Sequence, residues 1–345
     1  MKNLNTVKLY QPHVGWLHFE RGDEVAIALQ RGFFEAREQL FFRSYLRTGD
    51  GFIDAGAHVG LFSVLAGLIV GEQGHILSFE PDSKTRNLLV GNLRENNVQN
   101  VEVFPSGLWN ENGTLGLHRE AEGMSSHNFL AELEGDDDKT AESVDVVRLS
   151  TVEALGKCDH WELLKIDCEG AEPNILQDAL GLIVGGKIKA ALVEFNEHNL
   201  KRNGSSTTLL LAMIRASGAE VYRFSEDVSS LSVVESNEPI WYENLIITAD
   251  VDFVTQRMSE CDQEASQIID DILGRARACD LHEELQELST YRSRSIERGE
   301  VIERLEEEKS KLLDKLDRAR SEMSQLQSEI AKVPRAIRWL FLRIR

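Results

Sequence analysis

Phe52-Ile53-Asp54-Ala55-Gly56-Ala57-His58-Val59-Gly60 is the stretch that decides the fold of this chain. An apolar strand runs into a glycine turn, and the turn opens a helix. Gly56 lets the backbone reverse and approach a ligand with no Cβ in the way. Gly60 lets the helix pack close. About 20 residues on, Ile76-Leu77-Ser78-Phe79-Glu80-Pro81 is a second strand ending in a carboxylate, the spacing that sets an acid against a ribose. The two stretches point to an adenosine-containing ligand at the carboxyl edge of a parallel sheet. The loop is not a G-x-G-x-x-G and lacks the Lys-Ser/Thr of a phosphate loop. The D-x-G-x-x-x-G form suits a ligand without phosphates, and Glu80 suits an unphosphorylated ribose.

Outward from this pair, strand and helix patterns alternate. Strands are expected near 52–55, 75–79, 101–104, 161–167, 188–195 and 219–224. Helices are expected near 35–47, 60–70, 83–96, 171–184 and 206–217. Such alternation predicts an α/β fold, a parallel sheet with helices on both faces. The segment 240–248 reads as a late strand, expected to insert antiparallel at the sheet edge. Residues 1–34 read as short strands and turns. Between the third and fourth core strands, 113–118 and 143–149 read as strands around a polar stretch at 123–142. Its acids read as a solvated loop, and Ser125-Ser126-His127 just before them is assigned to a pocket.

Two further sets of residues bear chemistry. Lys165-Ile166-Asp167-Cys168-Glu169-Gly170 places Asp167 and Glu169 at the carboxyl edge, where ligands of open α/β sheets sit. A Lys165–Asp167 pair on one strand face is the bland alternative. Glu194-Phe195-Asn196-Glu197-His198 follows the next strand, and Glu194 or His198 there is a candidate base. Acids from both sets suit a hard cation, although the spacing requires no metal.

The 345 residues suffice for one α/β domain and an appendage. A net charge of −20 argues against general nucleic-acid binding. Cys158, Cys168, Cys261 and Cys279 form no C-x-x-C pair and read as free thiols of a reducing cytoplasm. The sequence has neither a signal-peptide pattern nor an apolar run long enough to span a bilayer. From about Thr255 the composition turns to Glu, Arg, Leu and Ser. Ile302, Lys309, Leu316, Met323 and Ile330 fall at heptad position a, and Leu305, Leu312, Ala319, Leu326 and Val333 at d. This pattern predicts a self-associating coiled coil roughly 50 Å long. The last twelve residues combine Arg335, Arg338, Arg343 and Arg345 with Trp339, Leu340, Phe341, Leu342 and Ile344. They suit an anchor on an anionic membrane surface.

With these residues in hand, the chain resembles the FkbM-type family of S-adenosylmethionine-dependent methyltransferases. The resemblance rests on FIDAGAHVGLFS, ILSFEPD with NLLVGNLRENN, FPSGLWNENGTLGLH, LLKIDCEGAEPNIL and LVEFNE, across roughly 35–248. It implies a class I methyltransferase, Rossmann-like sheet of seven strands with one antiparallel. It also implies O-methylation, often of sugars or polyketide-like products. Carried over by position, Asp54, Gly56, His58 and Gly60 shape the methionine and ribose pocket. Glu80 and Pro81 lie at the ribose, and Ser106, Gly107 and Leu108 near the adenine. Asp167 lies beside the methyl group. His58 departs from the family, which usually has Asn there. The expected chemistry is in-line attack by a substrate hydroxyl, with Asp167, then Glu169, then His198 as candidate bases. The organisation expected is an extension at 1–34, a methyltransferase domain at 35–250, a helical linker at 251–300, the coiled coil at 301–333 and the basic tail at 334–345. The tail resembles the ends of bacterial enzymes of surface-polysaccharide assembly, which makes a glycan the expected substrate and the inner membrane face the expected location. A nicotinamide-dependent oxidoreductase and a non-catalytic scaffold are the competing readings.

Overall fold

The structure, a computed structural model, describes residues 6–31, 34–119, 125–132, 141–225, 228–235 and 239–260. The expected coiled coil and basic tail, and the linker beyond residue 260, lie outside these residues. The chain begins with a hairpin of β1 (Thr6–Gln11) and β2 (Gly15–Glu20), then α1 (Glu24–Arg31) and α2 (Ala36–Tyr45). The core alternation follows as β3 (Gly51–Ala55), α3 (Leu61–Val70), β4 (His75–Phe79), α4 (Ser83–Glu95) and β5 (Val101–Phe104). A small sheet interrupts it, made of β6 (Gly107–Leu108), β7 (Gly113–His118), β8 (Phe129–Ala131) and β9 (Ala141–Val147). The alternation resumes with β10 (Trp161–Ile166), α5 (Glu172–Val184), β11 (Ile188–Asn196), α6 (Glu197–Arg202), α7 (Thr207–Ser217) and β12 (Glu220–Phe224). It closes with β13 (Leu231–Val233), β14 (Tyr242–Thr248) and α8 (Val251–Ser259).

The main sheet runs β13-β12-β14-β11-β10-β3-β4-β5. β11, β10, β3, β4 and β5 are mutually parallel. β14 runs antiparallel to both neighbours. The strand order reverses between β3 and β10, so the crevice beyond their carboxyl ends is the topological switch point where such sheets bind ligands. Strands buried on both faces must be apolar almost throughout, and Trp161-Glu162-Leu163-Leu164-Lys165-Ile166 is buried at every position. One apolar layer gathers Phe42, Phe52, Phe62, Leu65 and Leu89 under α2, α3 and α4. The other gathers Ile53, Leu164, Ile175, Leu176 and Ile214 under α5 and α7.

Two expectations change. Strand 242–248 does not cap an edge; it is interleaved between β11 and β12, where Leu245, Ile246 and Ile247 are fully buried. The described sheet has eight strands rather than seven, because β13 folds back antiparallel onto β12. Residues 251–260 also do more than start a linker. Val254 and Met258 of α8 are buried, and Arg257 donates to the Tyr45 carbonyl at 3.0 Å and pairs with Asp50.

The N-terminal hairpin is bonded into the core by two asparagines one helical turn apart, Asn92 on α4 and Asn96 at its C-cap. Asn92 accepts from the His18 N–H at 2.7 Å and donates to the His18 carbonyl at 3.1 Å. Asn96 does the same to Trp16, at 2.9 and 2.7 Å. Four helical residues rise about 6 Å and two strand residues about 6.8 Å, so an i, i+4 pair can serve alternate residues of a strand edge. Asn92 also donates to the Val59 carbonyl at 2.8 Å, which ties the hairpin to the glycine loop. Asn92→Ala strips three hydrogen bonds at once, one of them buried and two half-buried. It is expected to lower stability by about 2–3 kcal/mol, read as a lower urea midpoint at unchanged slope.

Candidate active site

The glycine loop between β3 and α3 spends its own backbone donors. Gly56 N–H and Ala57 N–H both donate to the Phe79 carbonyl, at 3.1 and 3.0 Å. His58 N–H donates to Glu80 Oε2 at 2.9 Å, and Gly60 N–H to the Ala57 carbonyl at 2.8 Å. A pyrophosphate would need such N–H groups free. Gly56 has φ +82°, and a Cβ there would sit 2.0 Å from the Asp167 carbonyl oxygen. The close approach of the β3 and β10 loops therefore requires glycine.

A cleft with about 550 Å³ of space, partly open to solvent, lies over these loops. Of the residues predicted for the site, Gly56, His58, Glu80, Pro81, Gly107, Leu108, Asp167 and Glu169 line it. Phe79, Leu108, Leu117 and Leu130 give it an apolar wall. Among the described residues, its lining includes the carboxylates Glu80, Asp167 and Glu169 and no Lys or Arg. The Glu80 carboxylate accepts from the Asp82 N–H at 2.8 Å as well as from His58. Its remaining lone pairs are available to ribose hydroxyls. Burial raises the Glu80 pKa to about 7, against the pull of those backbone donors.

Five candidate residues stand elsewhere. Asp54 points under the sheet, accepts from Ser63 Oγ at 2.6 Å, and burial raises its pKa to about 6. Side chains alternate along a strand, so an acid at this register falls on the α3 face and not in the cleft. Gly60, at φ +91°, faces α4, where a Cβ would meet Leu89 Cδ1 at 2.4 Å. It serves packing between α3 and α4. Ser106 is buried but does not line the cleft. His198 is exposed in the first turn of α6, which Asn196 caps by accepting from its N–H, and it does not line the cleft. Helix initiation at Glu197 turns this position away from the edge. Glu194 is buried, and burial together with Asp167 and Glu169 pushes its pKa well up.

At the polar end, Asp167 Oδ2 accepts from Lys165 Nζ at 2.6 Å. Lys165 is 3% exposed; burial opposes its charge, but Asp167, Glu35 and Asp54 outweigh that and keep it protonated. Glu169 accepts from Asn199 Nδ2, and its Oε1 lies 3.0 Å from His127 Nδ1. His127 Nε2 lies 2.5 Å from Glu24 Oε1. Ser126 Oγ donates to Glu24 at 2.8 Å, and Ser125 Oγ to Asp23 at 3.1 Å. His58 Nε2 lies 2.8 Å from Ser125 Oγ. Since the one Ser125 proton goes to Asp23, His58 is the donor, protonated on Nε2. Burial lowers its pKa and keeps the ring neutral. Of the stretch assigned to a pocket, Ser125 and Ser126 line the cleft and His127 reaches it only through Glu169, whereas Asp23 and Glu24 carry no motif that a sequence reading could have used. Glu172 was also missed as a site builder: its Oε1 accepts from the Cys168 N–H at 3.0 Å and the Gly170 N–H at 3.3 Å, shaping the 167–170 loop.

The mixed sheet, the acidic ribose position and the spent loop donors define an α/β protein of the methyltransferase type. The family model described as the methyltransferase FkbM domain matches residues 54–226, half of the chain, and the chain belongs to this family of S-adenosylmethionine-dependent methyltransferases. A Sulfolobus acidocaldarius protein named cobalt-precorrin-6B C(15)-methyltransferase (decarboxylating) is 36% identical over 70 residues, 20% of this chain and 36% of that protein. The chain therefore spans about a third of the length of the curated relative it matches. Among solved structures, the methyltransferase FkbM of Methylobacillus flagellatus is 14% identical, with 65% of this chain and 57% of that chain covered and a TM-score of 0.36. A SAM-dependent O-methyltransferase of Thermotoga maritima is 12% identical, with 70% and 84% covered and a TM-score of 0.32.

The residues present fit this cofactor. Three cleft carboxylates suit a ligand with a sulfonium and an ammonium group, the apolar wall suits a base, and Glu80 suits the ribose. Ribose hydroxyls donate to the ionised form of Glu80, so S-adenosylhomocysteine should bind more tightly as pH rises through about 7. The expected gain is roughly tenfold between pH 6 and 8. Glu80→Gln should flatten that profile and weaken binding, both measurable by calorimetry across pH.

Proposed function

We propose that this protein is an O-methyltransferase that methylates a hydroxyl of a neutral sugar unit in a bacterial surface glycan. The observation that carries the reading is the glycine loop, whose N–H groups at Gly56, Ala57, His58 and Gly60 are bonded internally. That loop cannot cradle a pyrophosphate, which counts against the nicotinamide alternative, yet it holds Glu80 where a bare ribose needs it. When bound, S-adenosylmethionine supplies a methyl group on a sulfonium sulfur that leaves as a neutral thioether once the acceptor oxygen takes the methyl.

The chain's own residues position the partners and handle a proton. Gly56, Glu80, Pro81, Gly107 and Leu108 hold the cofactor. Asp167 and Glu169 sit at the polar end of the same cleft, within which an acceptor hydroxyl can donate to a carboxylate. Because the described lining includes these acids and no Lys or Arg, a phosphorylated or carboxylated acceptor meets repulsion there, and an uncharged polyol does not. Self-association through the heptads of 302–333 and contact of the 334–345 segment with anionic lipid belong to the same reading, on the strength of their sequence patterns. Among the described residues, no helix is long and apolar enough to cross a membrane, and no cluster of His, Cys, Asp or Glu is arranged to hold a metal.

Calorimetry with S-adenosylhomocysteine and with NAD tests the cofactor half, and binding of NAD alone would overturn it. Labelled methyl transfer from S-adenosylmethionine to a panel of neutral methyl glycosides and to their phosphorylated counterparts tests the acceptor half. Label is expected on the neutral series, and transfer confined to phosphorylated sugars would overturn the class proposed.

A further inference from the structure

Residues 125–127 touch three separate parts of the chain. Ser125 joins His58 of the glycine loop to Asp23, which N-caps α1 by accepting from the Ala26 N–H at 3.0 Å. Ser126 reaches Glu24. His127 lies between Glu24 and the cleft carboxylate Glu169. Both of its ring nitrogens face carboxylate oxygens, which when ionised can only accept, so the ring satisfies both by carrying two protons. Burial opposes that charge, but hydrogen bonds to Glu169 and Glu24 lift its pKa to about 10.

Resting on the methyl-transfer reading, we propose that Glu169 takes the proton of the acceptor hydroxyl and that His127, held protonated by Glu24, is the residue that positions it. The alternative base, Asp167, is committed elsewhere. It is the carboxylate in hydrogen-bond contact with the buried ammonium of Lys165, and protonating it would strip that cation of its direct partner. Protonating Glu169 orphans nothing, because His127 retains Glu24 as a counter-ion. Glu169 is also fixed from its other side. Asn199 donates to Oε2, and Arg202, whose guanidinium stacks on Phe129 at 4.2 Å, donates to Asn199 Oδ1 at 3.2 Å.

The charged groups around the Glu169–His127 pair come from every neighbouring element. Glu24 comes from α1, with Asp23 just before it. Arg202 is on α6, Asp167 follows β10, and Glu194 is on β11. Burial raises the Glu169 pKa above the ordinary carboxylate value against the pull of His127, a direction that favours proton uptake by this carboxylate. Glu24 and Asp23 precede residue 54, where the family match begins. The acceptor side of this site is therefore completed by a segment outside the shared domain.

The test uses the full chain saturated with S-adenosylhomocysteine. Ring-nitrogen NMR should find His127 still doubly protonated at about pH 8, far above an ordinary histidine. Glu24→Gln, which preserves shape, should lower its midpoint by at least about one unit. A wild-type midpoint near about 6.5, or no response to Glu24→Gln, would overturn the relay. With any methyl glycoside that the wild type methylates, Glu169→Gln should cost about 10²–10⁴-fold in kcat. Glu24→Gln and His127→Gln should lower kcat and shift the acidic limb of the pH profile, with KM for the glycoside nearly constant. Turnover retained by Glu169→Gln would overturn its role as base. Should no glycoside be methylated, the sugar reading fails on its own, and the ring titration still decides whether His127 positions Glu169.

Discussion

One carbonyl oxygen organises this site. Phe79 ends β4, and its carbonyl takes the N–H groups of both Gly56 and Ala57. A strand-end carbonyl ordinarily faces solvent or a helix terminus. Here it pulls the first turn of the neighbouring loop onto the end of β4, and Glu80, the next residue, accepts from the third N–H at His58. The loop is thereby folded flat against its neighbour strand and presents a carboxylate, not a row of donors, to the cleft. Ligand class follows from that geometry. A site of spent donors and buried carboxylates repels a diphosphate and accommodates a sulfonium ion and a ribose.

The same constraint explains the glycines. Because the loop is held against β4, Gly56 is pressed on its other side against the Asp167 carbonyl, where no Cβ fits. Asp167 in turn owes its place to the register of β10 on β3, in which Lys165 lies opposite Asp54. Cofactor end and polar end are thus not independently adjustable. A shift of one residue in the β3–β10 pairing would exchange the two faces and bury the wrong side chains.

Much of this was legible in the sequence. Apolar runs of five or six residues bounded by Gly, Pro or Asp located the core strands, and the glycine loop with Glu80 located the cofactor end. Less legible was everything that depends on which way a side chain turns. Asp54 and Glu80 both close their strand motifs, yet Asp54 is one register short of the edge and lies under α3, bonded to Ser63. His198 follows its strand as Glu169 follows β10, but a helix starts at Glu197 and carries it outward. The antiparallel strand at 242–248 was visible as a strand and misplaced in the order, because periodicity says nothing about which neighbour a strand pairs with. Asp23 and Glu24 could not have been read at all. They open a short charged helix, and only the fold brings them to Ser125 and His127, about 100 positions later.

Buried charge gives the last step. Lys165 faces Asp167, Asp54 and Glu35, and the surplus of acid around it is relieved by burial, which raises the Asp54 pKa to about 6 and that of Glu35 to about 8. Asp167 is the acid of that cluster in direct hydrogen-bond contact with the ammonium. Across the cleft, His127 divides its charge between Glu169 and Glu24, one acid inside the site and one at its margin. The two cations therefore leave different freedoms. Asp167 is tied to the ammonium of Lys165, while Glu169 can take a proton because the anion that secures His127 is supplied from outside the cleft. A family match that begins at residue 54 includes Lys165, Asp167 and Asp54 of the first cluster and His127 and Glu169 of the second, and omits Glu35 and Glu24. The shared domain thus builds the cofactor end, and the segment before it equips the polar end to handle an acceptor's proton.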